Sequence, residues 1–129
     1  MLALLAALSL HVFTNGGGGN WEAGLGLIDI TNGHGTITAA KRTCSKKARP
    51  EQIQRLTDAA AQTRPKTWRP SYNSDCLECA GFTVELGKKH VTFDQEAKLP
   101  PDLERFRKAV LRELEDANKR CPIEAPKQP

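Results

Sequence analysis

Hydrophobic and polar positions run through the same pattern twice along this chain. The clearer round comes second. Phe82, Val84 and Leu86 alternate with Thr83 and Glu85, Gly87-Lys88-Lys89 makes a turn, and Val91 and Phe93 alternate with His90, Thr92 and Asp94. Alternation of period two on both sides of a turn predicts a β-hairpin with one buried face. In the first round, residues 22–31 and 35–43 read as strands on either side of Asn32-Gly33-His34, a strong hairpin signal. Leu25 and Leu27 fall on one face there and Ile28 and Ile30 on the other, which predicts a bulge near Leu27.

Each hairpin precedes a helical spacing. Pro50 suits a first helical turn, and Ile53, Leu56, Ala59, Ala60 and Thr63 recur at three and four residues before Pro65 stops the run. The second helix starts at Pro100-Pro101, with Asp102 and Glu104 where the helix dipole favours negative charge. Leu103, Phe106, Val110, Leu114 and Ala117 form its apolar stripe, Lys119 and Arg120 complement its carboxyl end, and Pro122 prevents continuation. Between the two rounds, residues 64–79 (RPKTWRPSYNSDCLEC) have no periodicity and read as one long loop.

The expected fold class is therefore α+β: a single ββα-loop-ββα domain with a four-stranded antiparallel sheet and both helices on one face. Thr36, Thr38, Thr83, Glu85, Thr92 and Asp94 would populate the wet face of the sheet. The expected domain spans residues 21–121, with a disordered tail at 122–129. Residues 1–13, MLALLAALSLHVF, have the length of a signal-peptide core and are too short for a membrane span. They lack a basic residue before the apolar run and a clear cleavage site. With the glycine-rich stretch from Asn15 to Asn20 as linker, residues 1–20 are set apart from the domain, and the chain is expected to be secreted or periplasmic. The competing reading packs the apolar run onto the domain as a first strand or helix.

Composition narrows the function classes. With 129 residues, 39% hydrophobic and 5% aromatic, the chain supports one modest core that cross-links would help. The net charge of +4 is concentrated at Lys41, Arg42, Lys46, Lys47 and Arg49, with Lys88 and Lys89 elsewhere. No aromatic residues interleave these charges for base stacking, so a solvated face is expected and no nucleic acid. His11, His34 and His90 have no metal-ligand spacing and no neighbouring nucleophile. Ser71, Ser74 and Asp75 are explained by turn chemistry, and Asp94 and Glu96 by solvation where a strand ends. No catalytic residue, metal or cofactor is expected, and the chain reads as a non-enzyme.

Four cysteines, Cys44, Cys76, Cys79 and Cys121, remain. Two structural disulfides suit an exported small domain, each contributing about 2–4 kcal/mol. In the expected sheet Cys44 lies at the end where Cys79 enters the third strand, which makes pairing Cys44 with Cys76 or Cys79 geometrically plausible, with Cys121 then tied to the other; sequence does not choose among the three connectivities. The alternatives are a zinc site, for which a second Cys-x-x-Cys is missing, and a redox dithiol, for which Cys76 and Cys79 lack a helix amino terminus and carry Asp75 and Glu78. The cross-linked loop is the candidate protein-binding surface, with Trp68, Arg69, Tyr72 and Leu77 as anchors. Trp68 and Tyr72 folded back as a cap on the core is the competing reading.

The stretch FTVELGKKHVTFD followed by LPPDLERFRKAV resembles the emfourin family of small bacterial inhibitors of thermolysin-like metalloproteases. The resemblance covers residues 81–114 and implies an exported domain whose partner is another protein, such as a secreted protease. The cysteines and the 64–79 loop depart from that family, so no inhibitory residue is carried over. Beside inhibition stand two other readings: a redox or metal-binding accessory using Cys76 and Cys79, and a structural module of the envelope.

Overall fold

Two hairpins flank a strand that neither hairpin pattern announces. The structure, a computed structural model, describes residues 8–15, 26–39 and 44–120. Its strands are β1 (Leu10–Asn15), β2 (Gly26–Thr31), β3 (His34–Ala39), β4 (Cys44–Lys47), β5 (Ser71–Tyr72), β6 (Gly81–Leu86) and β7 (Lys89–Asp94). Helix α1 spans Pro50–Ala61 and α2 spans Pro101–Arg120, with a short 3-10 turn at Pro65–Thr67. All seven strands form one sheet in the order β4-β3-β2-β1-β6-β7-β5.

The fold is α+β with two helices, as expected, but the four-stranded antiparallel sheet is corrected to seven strands of mixed direction. Strand β1 accounts for the largest difference. It lies in the middle of the sheet, antiparallel to β2 through Val12 and Ile28 and to β6 through Val12 and Val84. Leu10, Val12 and Thr14 point into the core with at most 2% exposure. Leu10 to Thr14 obeys the period-two rule like the other strands, hidden in a run whose continuous apolarity resembled a leader. The folded domain thus begins well before the expected boundary at residue 21, inside the segment assigned to leader and linker.

Local bonds fix β1 in register. The hydroxyl of Thr14 donates to the Gly26 carbonyl and accepts from the Gly26 amide, both at 2.9 Å. At its other end, the Gly33 amide donates to the Leu8 carbonyl at 2.9 Å and the Gly87 amide to the Ser9 carbonyl at 3.0 Å. Both hairpin turns are therefore tied to the residues that lead into the central strand. The first turn has Asn32 at φ 52° and Gly33 at φ 79°, the left-handed pair that a two-residue hairpin requires.

The other added strands are short edges. β4 carries Lys46 and Lys47, charges that blunt an edge, so this part of the basic run lies on a strand paired to β3 from Thr36↔Lys47 to Ala39↔Cys44. β5 is two residues within the expected loop and runs parallel to β7, with Ser71 opposite Thr92 and Tyr72 opposite Phe93. The bulge expected near Leu27 is absent among the described pairs, since β2 and β3 stay in register from Gly26↔Ala39 to Thr31↔His34. Residues 22–25 and 40–43, the outer ends of the expected first hairpin, lie outside the described residues, as do Gly16 to Asn20 and the tail at 122–129.

Cross-strand pairs sort the two faces. Leu10, Val12, Ile28, Ile30, Ile37, Phe82, Val84, Val91 and Phe93 share the inner face and merge with Ile53 and Leu56 of α1 and Leu103, Phe106, Val110 and Leu114 of α2 in one core. The threonines at 36, 38, 83 and 92, with Glu85 and Asp94, line the opposite face, as expected. The helices are joined by Arg55, whose guanidinium donates twice to the buried carboxylate of Glu113, at 2.7 and 2.9 Å. Among the described residues, no helix is long and apolar enough to cross a membrane.

Candidate functional site

The chain between α1 and β6 is fastened at three points. The first is Asp102, in the opening turn of α2. One of its carboxylate oxygens accepts from the Arg64 amide at 2.8 Å and from the indole N–H of Trp68 at 3.1 Å, and the other accepts from the Leu103 amide at 2.9 Å. Burial pushes this carboxyl up, but the three donors outweigh it and hold it below the usual value. Trp68 is 3% exposed and belongs to the core, so its indole fills the gap between the sheet and the start of α2.

The second fastening is Tyr72. It is also buried, and its hydroxyl accepts from the Arg69 amide at 2.9 Å while the Arg69 guanidinium stands 4.7 Å from its ring centre. The Thr92 amide donates to the Pro70 carbonyl at 3.0 Å and holds this segment against β7. Trp68 and Tyr72 are thus withdrawn from the surface. This burial is what the competing core-cap reading expects, since an indole or phenol ring with one satisfied polar atom is stable inside.

The third fastening carries the cysteines. Asp94, the last residue of β7, accepts from the Ser74 amide at 2.6 Å and the Ser74 hydroxyl at 2.9 Å. It also accepts from the Glu96 amide at 2.9 Å. The Ser74 amide bond leads the causes that hold the Asp94 carboxyl below its ordinary value, against an upward push from burial. The Cys76 amide donates to the Ser74 hydroxyl at 3.1 Å, and the Gln95 and Ala80 residues exchange two bonds, Gln95 amide to Ala80 carbonyl at 2.8 Å and Ala80 amide to the Gln95 side chain at 3.1 Å.

Between these anchors, Cys76 and Cys79 are joined to each other by a disulfide with a Cα–Cα distance of 5.6 Å. Of the three open connectivities, the two that pair Cys44 with one of them are therefore excluded. β4 and β5 are opposite edges of the sheet, and the insertion of β1 and the addition of these two strands separate Cys44 from the loop. Cys44 is itself disulfide-bonded, and Cys121 lies outside the described residues. At the tip of the small ring, Leu77 is 97% exposed. Phe13, on the open face of the sheet at 48%, is the other exposed large apolar side chain among the described residues.

Of the four expected binding residues, the structure leaves Arg69 and Leu77 at the surface and buries Trp68 and Tyr72. Sequence reasoning gave Asp102 only a helix-dipole role, did not single out Gln95, and took Asp94 for a solvated carboxylate like the exposed Glu96. The available signal was the loop's own donors: a serine beside the cysteine pair and a tryptophan need acceptors once buried. His11, expected in the leader, sits on β1 with Nδ1 2.8 Å from Asp29, while His34 opens β3 and His90 lies on β7.

Chemically, the arrangement offers a rigid apolar tip and, next to it, the carboxylate of Glu96 close to both cysteine sulfurs. No protein-family model matches this chain, and no curated protein and no solved structure matches it.

Proposed function

We propose that this domain is a non-enzymatic module that binds another protein through the cross-linked loop, with Leu77 as its anchor. The observation that carries the reading is a leucine 97% exposed at the tip of a ring closed by Cys76 and Cys79 and fastened on one side to Asp94, the last residue of β7, and on the other to Gln95, which follows it. An exposed apolar side chain on a mobile loop would lose ordering entropy on binding. Held in advance by a disulfide and hydrogen bonds, it enters a partner's apolar pocket with that cost already met. Arg69 adds a guanidinium stacked on Tyr72, a charge presented in a fixed direction.

In its most concrete form the partner is a secreted thermolysin-like metalloprotease and the module is its inhibitor. This form rests on the resemblance of residues 81–114 to the emfourin family and on the disulfides, which suit an oxidising compartment outside the cytosol. A structural envelope module would present the same loop to a different partner.

The test is inhibition of a thermolysin-like metalloprotease by the purified chain and by Leu77→Asp. Placing a carboxylate in an apolar pocket is expected to weaken binding by about 100-fold or more, with the thermal midpoint unchanged because Leu77 touches no core residue. Equal inhibition by both chains would remove Leu77 from the interface, and no inhibition by either would leave the protein-binding reading without its protease form.

A further inference from the structure

We infer that opening the Cys76–Cys79 disulfide turns this loop into a binding site for one zinc-like divalent cation, held by the two cysteine thiolates and the Glu96 carboxylate. Both sulfurs and a carboxylate oxygen of Glu96 already lie within 4.8 Å of one another. On a tetrahedral zinc ion with Zn–S near 2.3 Å, two sulfurs sit about 3.7 Å apart. Each sulfur therefore moves about 1 Å from its position in the disulfide, a displacement that side-chain rotation supplies.

The rest of the site does not depend on the disulfide. Ser74 is bonded twice to Asp94, Cys76 once to Ser74, and Ala80 twice to Gln95. Glu96 is bonded to Asp94 through its amide. The segments that carry all three donors are thus clamped together by backbone and side-chain bonds that reduction leaves intact. Cys76 and Cys79 are half-buried and Glu96 is exposed, so an ion approaches from solvent and water completes the fourth position. Two thiolates and one carboxylate select zinc over magnesium or calcium, which prefer oxygen alone. Glu78 within the ring and Asp75 just before it, both exposed, add negative charge beside the site.

The chemistry balances with a dithiol as reductant. Two successive exchanges pass two electrons into the S–S bond, the dithiol leaves as its own disulfide, and Cys76 and Cys79 remain as thiols. Binding of the cation then releases two thiol protons to solvent. The loop accordingly has two staples, a covalent one under oxidising conditions and a metal one under reducing conditions. This inference stands apart from the protein-binding reading, since it needs no partner.

The test is a zinc titration of the full chain in competition with a chromogenic chelator. It compares the oxidised protein, the protein reduced by a non-chelating phosphine, which becomes its oxide by taking oxygen from water, and a Cys76→Ser/Cys79→Ser variant reduced in the same way. One zinc per reduced wild-type chain is expected, bound about 100-fold more tightly than by the oxidised chain or the double variant, and about 10-fold more tightly than by reduced Glu96→Gln. Cobalt substituted for zinc should give thiolate charge-transfer bands that the double variant lacks. Reduced wild type that binds no more tightly than the double variant overturns the site, and Glu96→Gln with undiminished affinity overturns its third ligand. Far-UV circular dichroism of the unreduced Cys76→Ser/Cys79→Ser variant, which keeps the Cys44 disulfide, should match wild type; collapse of that signal would overturn the clamp that the site relies on.

Discussion

Replacing Trp68 by alanine distinguishes a core plug from a surface anchor. The indole is 3% exposed and packed in the same cluster as Leu103 and Phe106. Truncating a buried tryptophan to alanine costs about 3–5 kcal/mol through lost transfer energy and the cavity left behind. The lost indole bond adds little, because Asp102 keeps the amides of Arg64 and Leu103 as donors. A value near 4 kcal/mol is a large part of the roughly 5–15 kcal/mol that stabilises a domain of this size. With an unfolding entropy of about 0.2 kcal/mol/K for some hundred ordered residues, the midpoint should fall by about 15–20 °C. Guanidinium and thermal unfolding followed by circular dichroism give both numbers. Trp68→Phe, which keeps an aromatic ring but loses the N–H and part of the bicyclic volume, should cost less, about 1–3 kcal/mol. If Trp68→Ala unfolds within about 1 kcal/mol of wild type with the same denaturant slope, the side chain is not a core element and belongs back on the binding surface.

Three further outcomes follow from the same packing. Deleting residues 1–14 removes the central strand and three inward side chains, of which Leu10 and Val12 alone contribute about 1.5–3 kcal/mol each; the shortened chain should show no cooperative unfolding, and a sharp transition would mean that β1 is dispensable. Arg55→Ala leaves the Glu113 carboxylate, 2% exposed, without its partner; because Arg55 itself is half-exposed and water can enter, the cost should be about 2–3 kcal/mol, and Arg55→Met with Glu113→Met should recover most of it in a denaturation double-mutant cycle. Asp94 and Asp102 are both held below the ordinary carboxylate value of 3.8 in the fold, so the unfolded chain takes up protons first as the solution is acidified. Their contribution is complete above that value and is lost as pH falls through the lower folded-state values. Asp94→Asn and Asp102→Asn should each flatten the acid limb of stability against pH, and an unchanged limb would show that the hydrogen bonds carry no linkage.

The legible parts of the fold are those whose periodicity is local. β6, β7 and α2 bury one face each, and the sequence alternates or repeats accordingly, so Phe82 to Phe93 and Leu103 to Leu114 could be placed from their spacing alone. β1 could not, because its alternation of Leu10, Val12 and Thr14 with His11, Phe13 and Asn15 is short and follows directly on an apolar run, and such a run near the chain start has a second meaning as a leader. β4 and β5 were illegible for the opposite reason. Four residues reading CSKK and two reading SY hold too few side chains to show a period, and their pairing is decided by neighbours far along the chain. The loop was found as a place, but its inward and outward residues were not separable: Trp68 turns inward because Asp102 offers an acceptor thirty-four residues later, a relation no local pattern carries.

The pairing of Cys76 with Cys79 changes what the cross-link can be for. A bridge stabilises by limiting the unfolded chain, and that effect shrinks with the length of the loop it closes. With a sequence separation of 3, the chain-entropy contribution is about 2 kcal/mol, at the bottom of the usual range. Meanwhile, Asp102, Tyr72 and Asp94 already tie the connection to α2 and β7 without it. A staple meant to compensate for a lean core would close a long loop, as a bond between Cys44 and either of these cysteines would have done. What the short ring does control is the conformation of the two residues inside it, Leu77 and Glu78. Its consequence is therefore local: it fixes the direction in which one fully exposed leucine points, and removing this bridge alone by Cys76→Ser with Cys79→Ser should alter binding through that tip far more than it alters the stability of the domain.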